Sequence, residues 1–110
     1  MSYGIKSAAV NATADGENEI VAAVAGKTIE VIGFCLTAFH ATAAAEIDLR
    51  SGTSNTIHAR FQSGLAAALS AISLMGSAKE PLFLCDVGDS LVINNGTGVD
   101  TKGIVIYRVK

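Results

Sequence analysis

The sequence predicts an all-β fold, an antiparallel β-sandwich of about eight short strands that follows a Greek-key or jelly-roll path. Short runs rich in β-branched and aromatic residues recur along the 110-residue chain. They are separated by Gly, Asn and Asp, which favour turns. No long stretch has helical periodicity. Several connections are too long for tight hairpins, so a simple meander is disfavoured.

The last third of the chain, residues 81–110, shows this pattern most clearly. Apolar runs at 82–85, 91–93 and 104–109 alternate with turn-forming residues. The final run has the period of two that a strand with one buried face requires. One of its faces is apolar, and the other begins apolar and ends charged. The first face consists of Val105, Tyr107 and Val109, and the second of Ile104, Ile106, Arg108 and Lys110.

Residues 28–39 form the longest predicted strand. Gly33 lies in its middle, where a glycine indicates a β-bulge or the close approach of another backbone. We assign the larger alternate side chains to the core. These are Ile32, Phe34 and Leu36, with Val31, Gly33, Cys35 and Thr37 on the other face.

Residues 46–50 and 56–61 are predicted to form a hairpin around a turn at 51–55. Their alternation is the cleanest in the chain, so one side of the hairpin is expected to face water or a partner. The inward side chains are Ile47, Leu49, Ile57, Ala59 and Phe61, and the outward ones are Glu46, Asp48, Arg50, Thr56, His58 and Arg60.

Residues 63–79 are less regular. Three large aliphatic residues have helical spacing there, whereas the neighbouring segments are all predicted strands. We predict a loop or helical turn at 65–69, followed by a strand at 71–75.

The length suits a single domain over residues 1–110. Runs at 5–10 and 19–24 favour strands, but residues 1–14 as a whole are polar and loosely patterned. We therefore predict that 1–14 forms a flexible N-terminal arm that reaches a neighbouring subunit.

The composition indicates a protein that associates with other proteins. Half of the residues are hydrophobic and only 16% are charged, which is rich for a small monomer, so a homo-oligomer is predicted. The net charge is −2 and no basic run is present, which argues against nucleic-acid binding. No apolar stretch is long enough to span a membrane, and no secretion signal is apparent, so we expect synthesis in a cytoplasm.

Cys35 and Cys85 both lie in predicted strands. They could pair if those strands were neighbours, but two buried free thiols are favoured in a reducing compartment.

Chemical motifs are few. His40 and His58 have no metal-ligand spacing, and Glu46 and Asp48 share one strand face, where a solvated row is favoured over a cation site or an acid–base pair. Two Gly-rich loops at 51–54 and 95–98 lack the lysine and the helix of a phosphate-binding loop. Asp86, Asp89 and Asp100 are expected to cap turns. We predict no enzyme, no catalytic residue, no cofactor and no metal site.

Three segments carry a resemblance to a known family. They are IVAAVAGKTIEVIGFCLTA at 20–38, the LRSGT turn at 49–53 and PLFLCDVGDSLVINNGTGVDTKGIVIYRV at 81–109. Their order resembles small bacteriophage virion proteins of the jelly-roll type, found among capsid decoration (cement) proteins and head or tail appendages. The matching positions are structural turns and core residues, and the segment 63–79 departs from the pattern because it is richer in alanine.

The resemblance implies a structural virion protein, trimeric or otherwise clustered. It would decorate and stabilise a capsid by bridging neighbouring subunits of the major capsid protein after synthesis in the host cytoplasm. The alternative is a fibre or receptor-binding module that recognises host glycan. Such a module needs exposed aromatic side chains, for which Tyr3, Phe39 and Phe61 are the candidates. A cupin-type metal enzyme would need clustered histidines, and a ligand domain of the tumour-necrosis-factor type would need a secretion signal.

Overall fold

The computed structural model describes residues 4–62 and 70–110. These residues form nine strands in two antiparallel sheets packed as a sandwich, which confirms the predicted fold class. The described part of the chain has no helix, and so none that could span a membrane. The strands are β1 (Lys6–Ala12), β2 (Gly16–Val21), β3 (Ile29–Phe39), β4 (Glu46–Ser51), β5 (Ile57–Gln62), β6 (Ser70–Met75), β7 (Phe83–Leu84), β8 (Leu91–Asn95) and β9 (Asp100–Val109).

The strand order identifies the path of the chain as a jelly roll. Sheet A has the order β1-β9-β3-β6, with the two-residue β7 also beside β3, and sheet B has the order β2-β8-β4-β5. The paired strands are therefore nested, β1 with β9, β2 with β8, β3 with β6 and β4 with β5. A long antiparallel ribbon folded over on itself gives this pattern.

The core lies between the two sheets and is built largely by the predicted inward faces. Val105 in β9 is fully buried, and Tyr107 and Val109 pack against the core. In sheet B, β4 contributes Ile47 and Leu49. The predicted alternation of β4 and β9 is therefore confirmed.

A β-bulge in β3 corrects the predicted core face of that strand. The register with β9 shifts between Val31 and Gly33, so the residues before the bulge have the opposite parity to those after it. Val31, assigned to the outer face, is in the core, whereas Ile32 is buried but lies outside the core cluster. Phe34 lies in the core as predicted, and the bulge expected at Gly33 is confirmed.

The structure contradicts a flexible arm over residues 6–12 of the predicted range 1–14, of which residues 1–3 lie outside the described part of the chain. Lys6–Ala12 form β1, which pairs with β9 over seven consecutive residues, and Val10 and Ala12 are buried. These residues belong to the sandwich because their alternating apolar side chains cover one end of the core.

Two further segments bear on the predicted boundaries. The strand expected at 71–75 is confirmed as β6, whereas the loop or helical turn expected at 65–69 lies outside the described residues. Asn95, predicted in a loop, is the buried last residue of β8. Its side chain accepts a hydrogen bond from Thr101 Oγ1 at 2.8 Å and donates one to the Ala12 carbonyl oxygen at 2.8 Å. The hydrogen bonds of Asn95 thus allow β8 and β9 to extend into the segment between them, which has the composition of a turn.

Candidate functional site

The main polar cluster of the molecule lies at one end of the sandwich, between the loop that follows β4 and the segment that follows β7. We call it the end cluster. In the described part of the chain, no three His, Cys, Asp or Glu side chains are placed to hold a metal ion together. The end cluster consists of Ser51, Ser54, Thr56, His58, Asp86 and Asp89.

Ser51 and His58 form a hydrogen-bonded pair within the end cluster. Ser51 Oγ lies 2.7 Å from His58 Nε2 and accepts a hydrogen bond from the Asp86 backbone N–H at 2.9 Å. The His58 ring also stacks on Phe83, with 4.8 Å between the ring centroids and 7° between the planes. These contacts connect β5, the edge strand of sheet B, to β7 and to the segment after it.

The position of His58 corrects its assignment to the polar face of the hairpin. The register between β4 and β5 shifts between Leu49 and Arg50, because Arg50 pairs with Ile57 and Leu49 with Ala59. His58 is therefore the extra residue of a β-bulge, and it turns towards Ser51 and Phe83. Ile57, assigned to the core, is exposed instead. The predicted hairpin of β4 and β5 is itself confirmed.

The carboxylates of the end cluster are bound by loop hydroxyl and amide groups. Asp86 Oδ2 accepts hydrogen bonds from the hydroxyl groups of Ser54 and Thr56, the latter at 2.7 Å. These hydrogen bonds, with a smaller contribution from His58, hold the pKa of Asp86 below its usual value despite partial desolvation. Asp89 Oδ2 accepts the backbone N–H of Ser54 at 3.0 Å. Both aspartates therefore bind the distant β4–β5 loop, whereas the sequence predicted that each would cap the turn in which it lies.

Ser51 and His58 resemble the nucleophile and the base of a catalytic site, but the burial of Ser51 does not suit catalysis. Ser51 is fully buried, so its hydroxyl group offers no surface to a substrate. Its Oγ already bonds the His58 ring and the Asp86 amide. What this arrangement does chemically is join two loops and satisfy their buried polar groups.

The second polar feature is an ion network on the outer face of sheet B. Asp48 accepts from Arg60 Nε at 2.6 Å and from Arg50 Nη2 at 2.6 Å, and only 5% of its side chain is exposed. Burial alone would raise the pKa of Asp48, but the hydrogen bonds and charges of Arg60 and Arg50 outweigh burial and lower it. The solvated row predicted for this face is therefore wrong at Asp48 and correct at the exposed Glu46.

We expect Asp48→Asn to destabilise the protein by about 1–2 kcal/mol, because it leaves two guanidinium groups without their shared carboxylate. The lowered pKa also fixes the pH dependence. Asp48 contributes stability above its unfolded pKa of about 3.9, and this contribution disappears as the pH falls through the lower folded value. Urea unfolding between neutral and acidic pH measures both effects. The matched control is Glu46→Gln on the same strand, and an equal loss in both variants would contradict the role of the network.

The two cysteines are both free, as favoured from the sequence. The prediction that both are buried is wrong for Cys35, because its side chain points out from the outer face of sheet A. Cys85 is buried just after β7. Burial raises the pKa of the Cys85 thiol to about 11. A hydrogen bond with Ser51 opposes this rise more weakly, and the charges of Asp86 and Asp89 each add a still smaller increase.

Thiol labelling should therefore separate the two cysteines. In the native protein we expect one rapidly labelled thiol, Cys35, because a buried thiol with a raised pKa is almost entirely protonated at neutral pH. Unfolding in guanidinium should expose the second thiol. The variant Cys35→Ser should show no rapid labelling, and rapid labelling of that variant would contradict the burial of Cys85.

The remaining sequence candidates lie apart from one another or have structural partners. His40 Nδ1 accepts the backbone N–H groups of Thr42 and Ala43 at 3.0 and 2.9 Å, so His40 caps its own loop. The N–H of Gly98, in the second Gly-rich loop, is bound by the Asp15 carboxylate at 2.9 Å. Asp100 is exposed at the start of β9. Of the aromatic candidates, Phe39 is exposed, Phe61 packs against the core, and Tyr3 lies outside the described residues.

The outer faces of the two sheets differ in chemistry. That of sheet B carries Glu17 and Glu19 on β2 as well as the Asp48 network. The outer face of sheet A has charges at its two ends, Lys102 at one and the ion pairs of Glu30 with Arg108 and Lys110 at the other. Between them the register places two uncharged rows side by side across four strands, and we call these rows the uncharged patch. One row is Ala9, Ile104, Cys35 and Ser73, and the next is Ser7, Ile106, Gly33 and Met75.

The uncharged patch is accessible over much of its area. Ile104 is 41% exposed, and Met75, whose side chain lies over Gly33, is 64% exposed. Sequence reasoning identified one apolar segment of this face in β9, but it could not place the four strands beside one another. An exposed apolar patch with charged residues at its rim is typical of a surface that binds another protein.

Comparison of the chain with protein-family models, with curated proteins and with solved structures found no match.

Proposed function

We propose that this chain is a structural protein of a bacteriophage particle, which decorates the capsid and stabilises it by bridging neighbouring subunits of the major capsid protein. The observation that supports the proposal is the uncharged patch at the centre of the outer face of sheet A, where Ile104 and Met75 are exposed. The virion setting rests on the resemblance of three segments to jelly-roll virion proteins.

The proposed mechanism uses surfaces and requires no chemistry. One copy would bury the uncharged patch of sheet A against the shell and leave the outer face of sheet B in water. Each contact would be of modest area, but many copies bound to one lattice add up to a large gain in shell stability, because each binds the assembled state in preference to its separated subunits.

Binding to capsid shells that lack decoration tests the proposal. We expect the wild-type chain to co-sediment with such shells, and Ile104→Glu to bind at least tenfold more weakly, because a carboxylate would be buried without a partner. The matched control is Ile57→Glu, since Ile57 is similarly exposed, at 44% against 41%, on sheet B. Equal weakening by both substitutions would contradict the assignment of sheet A as the docking side. Binding to host glycan without binding to shells would instead favour a receptor-binding module.

A further inference from the structure

The free edge of β1 lacks the features that normally keep strand edges apart. Exposed edges are commonly protected by charges, prolines or bulges. Both edges of sheet B have such protection, since β2 carries two glutamates and a register shift, and β5 carries Arg60 and the bulge at His58. In contrast, β1 has an unbroken register with β9 over all seven residues, and Lys6 at its start is its one charged residue.

The register shows which backbone groups of β1 are free. Lys110 and Thr28 exchange backbone hydrogen bonds across β9 and β3, so the even-numbered residues of β9 bond towards β3. The odd-numbered residues, which pair with Lys6, Ala8, Val10 and Ala12, therefore bond towards β1. The intervening residues of β1 point their N–H and C=O groups away from the sheet, where no strand of the described chain pairs with them. These residues are Ser7, Ala9 and Asn11.

We propose that β1 of one copy pairs with β1 of a second copy, antiparallel and about a two-fold axis at Ala9. In this register Ser7 of each copy faces Asn11 of the other, and the two Ala9 residues face each other. Six backbone hydrogen bonds form, because each of the three residues donates one N–H and accepts one in each copy. The two A sheets become one continuous sheet.

The sequence of β1 is complementary to itself in this arrangement. Lys6 lies opposite Ala12 of the other copy, so the two ammonium groups are at opposite ends of the ribbon, about 20 Å apart at 3.4 Å per residue. The side chains at the seam are small, and those on the outer face are Ser7, Ala9 and Asn11. The Ala9 row of the uncharged patch therefore continues into the same row of the second copy, whereas the Ser7 row meets the row of Asn11 and Lys102. We therefore expect a two-fold dimer in solution, in place of the trimer that the resemblance implies.

Charge substitutions at the two-fold axis provide the test. Ala9 is exposed in the single chain, so Ala9→Lys and Ala9→Glu should leave the fold unchanged, which circular dichroism and thermal melting can verify. In the pair, however, each substitution places two like charges directly opposite each other. A third variant, Ala9→Pro, removes from each copy one N–H group at the free edge of β1, where proline is tolerated. Ala8→Pro is the matched control, because it removes an N–H that bonds β9 and should unfold the strand.

Sedimentation over roughly micromolar to millimolar concentrations measures the outcome. We expect the wild type to form a dimer, the Ala9→Lys and Ala9→Glu variants each to dissociate several-fold more readily, and their equimolar mixture to recover the dimer. Loss of two of the six hydrogen bonds should weaken the Ala9→Pro dimer about tenfold or more. A wild-type monomer at every concentration, or an oligomer whose mass Ala9→Lys does not change, would overturn the proposal. Because the purified protein alone is measured, this result is independent of capsid binding.

Discussion

Replacing Phe34 by alanine is expected to cost about 3–5 kcal/mol of folding free energy. Phe34 lies at the centre of β3 with 2% of its surface exposed. Its ring meets that of Phe61 from the opposite sheet edge-to-face, with 5.8 Å between the centroids and 66° between the planes. The substitution removes this contact between the sheets and leaves a cavity that neither sheet can fill without moving.

Urea unfolding at low temperature gives the measurement, since total stabilities of small domains are only about 5–15 kcal/mol. Phe39→Ala is the matched control. Phe39 ends the same strand but is 37% exposed, so we expect a change within about 1 kcal/mol. Similar losses in the two variants would show that the two sheets do not pack around Phe34 as described.

Replacing Gly103 by alanine is expected to cost about 3 kcal/mol or more. Gly103 lies inside β9 with φ of 145°, a conformation that only glycine adopts readily. A Cβ atom there would overlap the carbonyl oxygen of Cys35 and lie 2.9 Å from Leu36 Cα. Those atoms belong to the backbone of the central strand β3, which cannot move without breaking its ladder.

Gly16→Ala separates the two causes of this loss, which are the backbone conformation and the overlap of the added Cβ atom. Gly16 also has a positive φ, of 77°, but a Cβ atom there would meet no atom within 4 Å. We expect a cost of about 1 kcal/mol from the backbone conformation alone. If thermal and urea unfolding give the same loss for both variants, the close approach of β9 to β3 at Gly103 is not as described.

The strands could be predicted from the sequence wherever the period of two is uninterrupted. In β4 and β9 the alternation identified the buried face correctly, because each side chain alternates strictly between the core and the outside. The fold class followed from the number and spacing of such runs. The start of β9 was missed because Asp100 and Thr101 resemble loop residues, and only the partner Asn95 explains why Thr101 is buried in a strand.

The candidate sites could not be predicted in the same way, because they depend on bulges and on register. One extra residue reverses the parity of a strand, so the bulge at His58 moved this side chain from the predicted solvent face to Ser51. Asp48 resembled a solvated residue until the register placed Arg60 opposite it. The uncharged patch of sheet A likewise depends on four strands from distant parts of the chain, among them β1 and β9.

Quantification of the chain in purified virions tests the central claim most directly. Particles of the phage to which the proposal assigns the chain would be purified and analysed by mass spectrometry against isotope-labelled standards of this chain and of the major capsid protein. The proposal predicts that the chain is present in intact particles at a fixed ratio to the major capsid protein, and that its removal makes the shells less stable to heat. Absence from the particles, with the chain confined to infected cells, would contradict a structural role in the virion.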